Sequence, residues 1–220
     1  MAKLYFKYGV MGASKSAQAL ITKFNYEENN NKVLLLKPAV DTRDGKTVIK
    51  SRIGMEADAI AIENFDDIYF NYSIGRYGEN FNVIICDESQ FFTPKHIEQL
   101  KKITLEKNVP VICYGLLSDF QTNLFPGSKR LVELADSLQE IKMVCGCGAK
   151  ATVNARFIDG KIALDGEQIV LGGNDSYKGM CYRCFDKLRT ERYEDLAAKS
   201  YIDTLSIDDY RDLLEEGFSK

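Results

Sequence analysis

The chain has 220 residues, 45% of them hydrophobic, enough for one ordinary domain, or one domain and a small satellite, around a sizeable core. A net charge of -3 and an isoelectric point near 5.4 argue against a surface that grips nucleic acid nonspecifically. No apolar run is long enough for a membrane span, and MAKLYFKYG lacks the apolar segment and cleavage site of a secretion signal; the expected location is the cytoplasm, where six cysteines read as thiols or metal ligands and not as disulfides.

Leu4 to Tyr8 reads as a short strand that runs into the loop Gly9 to Ser16, with Ala17 to Phe24 as the helix that follows. Val33 to Leu36 is an apolar run suited to a strand covered on both faces, ended by Pro38. Asp41 to Ser51 is polar and reads as a loop, Ala59 to Ile62 as a short strand, Phe65 to Tyr72 as a helix. Asn82 to Cys86 is again a buried-strand pattern. Thr93-Pro94 marks a helix start, with threonine as N-cap and proline at the first helical position, and that helix runs to about Lys107. Pro110 to Tyr114 is the next strand and Gly115 to Gly127 a long loop. Ser128 to Ala135 follows as a helix and Leu138 to Val144 as a strand.

Residues 1–144 thus alternate strand and helix, which predicts an α/β domain with a mostly parallel sheet and helices on both faces. Composition changes at Cys145. From there to Cys184 the chain holds short β-like pieces, seven glycines and four cysteines, the marks of a small metal-stapled domain set at 145–190. Residues 191–220 form an acidic tail, partly helical, with Ser206 to Asp209 as a capped helix start and Ile207, Tyr210 and Leu214 on one face.

The loop GVMGASKS approaches the phosphate-binding pattern G-x-x-x-x-G-K-[ST]. Gly9, Val10, Met11, Gly12, Ala13 and Ser14 would offer backbone N–H groups to phosphate oxygens, Lys15 would reach the outer phosphates, and Ser16 would ligate Mg²⁺. Ser14 stands where the last glycine belongs. It serves if its dihedrals are ordinary and fails if φ must be positive. The plain alternative is a strand-turn-helix with a surface lysine.

NVIICDESQFF places Asp87 and Glu88 at the carboxyl end of a buried strand, the edge where open α/β sheets bind ligands. An aspartate there would assist Mg²⁺, and the glutamate could activate water or take a proton from an acceptor hydroxyl. A helix N-cap cluster is the plainer reading. Cys145-Gly-Cys147 and Cys181-Tyr-Arg-Cys184 are two close pairs that suit a tetrahedral, structural Zn²⁺, although the first pair is shorter than the commoner C-x₂-C. Cys86 and Cys113 lie in apolar strands and read as core. The single histidine, His96, is expected to be exposed and not a ligand.

Taken in order, LYFKYGVMGASKS, LLLKPAVDTRDG, VIICDESQFF, VPVICYGLLSDFQTNLFPGS, the cysteine pairs and IVLGGNDSYKGMC resemble the type II, zinc-containing thymidine kinases over roughly residues 2 to 190. The resemblance implies a P-loop, RecA-like fold with a small zinc-binding lasso domain that closes over the nucleoside. It implies transfer of the γ-phosphate of ATP to the 5′-hydroxyl of thymidine, in pyrimidine deoxynucleotide salvage for DNA synthesis. Glu88 would be the general base; Lys15, Ser16 and Asp87 would serve Mg-ATP; Asp41 and Arg43 would lie near the phosphates, where Arg43, with Lys15 a catalytic residue, would neutralise charge that develops during transfer. Phe120 and Phe125 match aromatics that wall the thymine pocket, though either could be simple core. Gln168, Ile169, Val170, Leu171 and Gly172, with Tyr177, match the lasso. Cys145, Cys147, Cys181 and Cys184 would hold the zinc that anchors it. Partners implied are thymidine, ATP, thymidine triphosphate as feedback inhibitor, and further copies in a homotetramer or homodimer, with no nucleic acid and no membrane. Ser14 departs from the family pattern and keeps open a second reading, a nucleotide- or nucleoside-binding regulator with weakened catalysis. A zinc-ribbon nucleic-acid binder with an attached ATPase is a third, opposed by the acidic balance.

Overall fold

The computed structural model of the chain describes residues 1–43, 45–168 and 177–204, with side chains to residue 200. Strands β1 (Leu4–Tyr8), β2 (Val33–Pro38), β5 (Ile60–Ile62), β6 (Val83–Cys86), β7 (Val111–Gly115) and β8 (Ser137–Glu140) form one sheet, in the order β5-β2-β6-β7-β1-β8, with every neighbouring pair parallel. Strands β3 (Val48–Lys50) and β4 (Glu56–Asp58) make a separate antiparallel hairpin, which the sequence reading had in part as loop.

Period-2 alternation assigns the sheet's two faces. Leu34, Leu36, Ile84, Cys86, Val111 and Cys113 share one core with Ile68 of α2 (Ile68–Ser73), Ile97, Leu100 and Ile103 of α3 (Pro94–Glu106) and Leu131 of α4 (Pro126–Leu134). Leu35, Val83, Ile85, Ile112 and Tyr114 share the other with Ala19 and Leu20 of α1 (Lys15–Glu28). Helices therefore cover both faces, and each fully buried aliphatic contributes about 1.5–3 kcal/mol.

Helix α3 begins as its sequence predicts. The Thr93 hydroxyl accepts from the His96 N–H at 3.2 Å, and Pro94 opens the first turn. His96 itself is not exposed. Its ring is buried, with Nδ1 3.4 Å from the Thr93 N–H and Nε2 3.1 Å from the Asp66 carbonyl. The capping signal was local; the burial comes from a chain segment thirty residues away.

The second sheet orders β10 (Lys161–Ile162), β9 (Val153–Ile158) and β11 (Tyr177–Met180) antiparallel as β10-β9-β11. Its Val153, Ala155, Ile162 and Met180 join the α1-side core, so the module is seated on the large sheet. Helix α5 (Tyr182–Thr204) passes through residue 190 without a break. The helix start expected at Ser206 lies outside the described residues. No helix among the described residues is long and apolar enough to cross a membrane.

Candidate active site

The carboxyl ends of β1, β2, β6 and β7 lie on one edge of the sheet and carry the candidate groups. The Gly9–Ser16 loop leaves β1 there. A Cβ on Gly9 would stand 2.7 Å from the Ile141 carbonyl oxygen, so no side chain fits. Gly12 has φ +88°, and Ser14 has φ 57°, ψ 25°. Ser14 is thus in the left-handed region that favours glycine, and carries about 1–2 kcal/mol of backbone strain. It is also the N-cap of α1, whose first turn no side chain caps, so that turn's amides are left to the loop's concavity. Lys15 is buried and donates to the Val10 carbonyl at 3.0 Å; desolvation lowers its pKa, against the carboxylates of Glu88 and Asp87. Between the loop and the β3–β4 hairpin opens a cavity of about 770 Å³, lined by Ser14, Lys15, Ser16, Arg52 and Asp87 among others.

Asp87 is buried against Ser16, whose hydroxyl donates to it. Burial, and then the neighbouring Glu88 charge, pushes its pKa up to about 7. Its Oδ1 is the one buried side-chain polar atom among the described residues with no hydrogen-bond partner. An orphaned carboxylate oxygen beside a hydroxyl oxygen is a fitting donor set for a hard divalent cation.

Glu88 has φ 47°, in the left-handed region that strains a residue with a side chain. Oε1 accepts from Arg43 Nη2 at 2.6 Å, and Oε2 accepts from Gln90 Nε2. Gln90 in turn accepts from the Leu116 N–H at 3.0 Å, which locks its amide orientation. Arg43 Nε donates to Asp41 Oδ1 at 2.7 Å. Burial alone would weaken the guanidinium charge, but Glu88 and Asp41 outweigh it and raise the Arg43 pKa. Burial likewise opposes the Asp41 charge, and Arg43 with Lys37 overturns it and lowers that pKa. Lys37, fully buried, spans Asp41 Oδ2 at 3.3 Å and the carbonyls of Gly45 and Val48, so it fixes the base of the hairpin.

A second, smaller cavity of about 40 Å³ lies on the other side of Glu88. Phe91, Leu116, Phe120, Phe125, Gln168 and Tyr177 line it, so both predicted phenylalanines are core-buried and cavity walls at once. Phe91 and Phe125 meet edge-to-face at 5.6 Å, and Arg156 stacks over Phe120. Asp119 shapes the intervening loop by accepting from the Gln121 and Asn123 N–H groups, and it holds Gln168 Nε2 at 2.7 Å. Ile169, Val170, Leu171 and Gly172 lie outside the described residues. Met11, Arg43 and Glu88 line both cavities.

The four sulfurs of Cys145, Cys147, Cys181 and Cys184 lie within 4.8 Å of one another, with Cys147 and Cys181 3.6 Å apart. Tetrahedral Zn²⁺ with Zn–S near 2.3 Å requires sulfurs separated by about 3.8 Å, so the set fits the ion. Backbone N–H groups at 147 and 181 bring the Cys145 thiol down to about 6, whereas neighbouring thiols push Cys184 up to about 12.

The thymidine kinase family model matches residues 2–185. This chain belongs to the thymidine kinase family. It is 44% identical to the thymidine kinase of Lactococcus lactis over 188 residues, 85% of this chain and 98% of that one. It is 43% identical to that of Streptococcus pyogenes serotype M3, over 82% and 95% of the two chains, and 42% identical to that of Legionella pneumophila, over 82% and 88%. Among solved structures, the Pif1 helicase from Candida albicans aligns over 64% of this chain and 36% of its own at 12% identity, with a TM-score of 0.36, too slight to argue from.

Lys37, Gln90, Asp119 and Asn154 are further residues that build the site. Lys37 had a visible signal, a lysine closing an otherwise apolar strand. Asn154 had a weaker one, a polar residue within VNARF, and Gln90 and Asp119 had none beyond their loops.

Proposed function

We propose that the chain transfers the γ-phosphoryl group of ATP to the 5′-hydroxyl of thymidine, giving thymidine monophosphate and ADP. One observation carries this reading: the Glu88 carboxylate stands on the wall shared by a polar cavity at the phosphate loop and an aromatic cavity beside it. A base at that junction takes the proton of an acceptor hydroxyl as its oxygen attacks phosphorus and the bond to ADP breaks. The loop amides and Lys15 bind the phosphates, and Arg43 leaves Glu88 for the triphosphate charge while keeping Asp41. Gln90 aims the freed carboxylate. Asp87 and Ser16 would hold Mg²⁺, which neutralises phosphate charge when bound. The four cysteines would hold a structural Zn²⁺.

Phe120, Phe125 and Tyr177 wall the base. Gln168 lines the same cavity, at the start of the stretch that the family resemblance reads as the lasso. Thymidine triphosphate has a base for one cavity and phosphates for the other, so it inhibits by spanning both, and competition against each substrate tests this. The reading also includes a cytoplasmic, homotetrameric or homodimeric enzyme, checked by sedimentation. Ser14 motivates a binding-only alternative, which family membership does not favour.

The deciding test is ADP release by zinc-replete protein with Mg-ATP alone, with thymidine and with deoxycytidine, beside Glu88→Ala. Thymidine-dependent release lost in Glu88→Ala is expected. Thymidine binding without release would overturn the kinase reading.

A further inference from the structure

We infer that Asn154 is a positioning residue that ties the two substrate sites together from the cysteine-stapled module. Its carboxamide is buried, and both ends are committed to backbone. Oδ1 accepts from the Met11 N–H at 2.7 Å, and Nδ2 donates to the Ser118 carbonyl at 2.8 Å. A flipped amide would set N–H against N–H and oxygen against oxygen, so the pair of partners fixes its orientation.

The two partners belong to different sites. Met11 sits in the phosphate loop and lines both cavities; Ser118 opens the loop that carries Phe120 and Phe125. Asn154 stands on β9, the central strand of the small sheet, opposite Gly179 on β11. A Cβ on Gly179 would lie 2.7 Å from Val10 Cγ2 and 2.8 Å from the Met11 carbonyl oxygen, so the phosphate loop is pressed onto the module with no room for a side chain. One side chain thus holds a phosphate-loop amide and an acceptor-loop carbonyl at a fixed separation. Without it, two backbone groups lose their partners in a part-buried seam. Positioning of this kind acts on both substrates, because a small displacement of either loop misplaces what it holds.

The inference rests on the assignment of the two cavities to ATP and thymidine, and the test separates the two claims. Dissociation constants for a non-hydrolysable Mg-ATP analogue and for thymidine are measured on the full, zinc-replete chain, for wild type, Asn154→Ala and the near-isosteric Asn154→Leu. Leucine keeps the bulk and removes both hydrogen bonds, and zinc stoichiometry verifies the module. Both constants should rise at least about fivefold in both variants, with zinc content unchanged. A rise for thymidine alone would reduce Asn154 to a cavity wall, and no rise in either would make it only structural; both results overturn the inference. Wild type that binds neither ligand would instead refute the proposed function.

Discussion

The two cavities that meet at Glu88 differ in kind. The phosphate-loop side is wide, polar and built from turns at strand ends, with Lys15 and Asp87 buried in an arrangement that leaves one carboxylate oxygen unpartnered. The other side is narrow and aromatic, and part of its wall, Asn154, Gln168 and Tyr177, comes from the small module. The wide side carries backbone strain, at Ser14 and Glu88. The narrow side is closed by packing, with Phe91 edge-to-face on Phe125. The charged groups therefore sit on the large sheet, while part of the aromatic wall comes from a module with its own sheet and its own cysteine cluster.

Removing the shared group should have the largest effect. Glu88→Gln keeps the shape and a contact to Gln90 but loses the proton acceptor, so kcat should fall about 10²–10⁴-fold with both KM values nearly unchanged. Steady-state kinetics checks this; a loss under tenfold would remove Glu88 as the base.

Next comes the staple, which should separate the cavities. Cys181→Ser should abolish stoichiometric zinc and cost about 3 kcal/mol or more, a fall in Tm of roughly 6–12 °C. Both affinities should drop, because the Asn154 tie to the Met11 amide goes with the module, and thymidine affinity should drop further, because Tyr177 and Gln168 also lose their support while Lys15 and Asp87 stay on the large sheet. Zinc analysis, melting and titration of both ligands measure it. Equal losses would mean that the module supports both sides alike.

What could be read from the sequence follows the range of the interactions. The strands, the Thr93-Pro94 helix start, the loop at residues 9–16 and the carboxylates after β6 follow from patterns a few residues long. Four cysteines in two pairs were enough to foresee a cluster that the fold does assemble. The β3–β4 hairpin was missed because VIK and EAD are short, and its turn, Ser51 to Met55, is closed by the Ser51 hydroxyl and not by an Asn-Gly signal. Helix α5 was foreseen only as a partly helical tail, and its start at Tyr182 was not, because its long exposed stretch has no apolar stripe. Lys37, Gln90 and Asn154 take their meaning from partners brought in by the fold, and Asn154 reaches over 143 residues to Met11. The strain at Ser14 was legible only as a question: a serine at a glycine position, whose φ the structure gives as positive.

That strain supplies a smaller test, confined to the wide side. Ser14→Gly should relieve about 1–2 kcal/mol of left-handed strain and give back about 0.5–1 kcal/mol as unfolded-chain entropy. The net gain should be within about 1 kcal/mol, with the ATP KM lowered up to about threefold and the thymidine KM unmoved. Ser14→Ala keeps the strain and removes the hydroxyl, so it separates the two contributions. If glycine weakens ATP binding, the Ser14 hydroxyl is itself a phosphate contact.

The smallest effect should lie away from both cavities, at His96, and it serves as the control. Burial, against the pull of the Asp66 carbonyl, lowers the pKa of this imidazole from its ordinary 6.5. With Nδ1 accepting from Thr93 and Nε2 facing the Asp66 carbonyl, the neutral ring with its proton on Nε2 satisfies both contacts; a second proton would oppose the Thr93 N–H. The unfolded chain then binds more protons than the folded one below the ordinary value, so the histidine's contribution is complete above about pH 6.5 and is lost as pH falls through it. Asp87, raised to about 7, titrates in the same window with the opposite sign, because there the folded chain holds the extra proton. The comparison must therefore be between proteins at one pH. Urea midpoints of wild type and His96→Gln should differ more at about pH 7.5 than at about pH 5.5, while the KM values for ATP and thymidine stay together at both. A shift in either KM would tie the α3 cap to the site and end the separation between the cavities and the far side of the sheet.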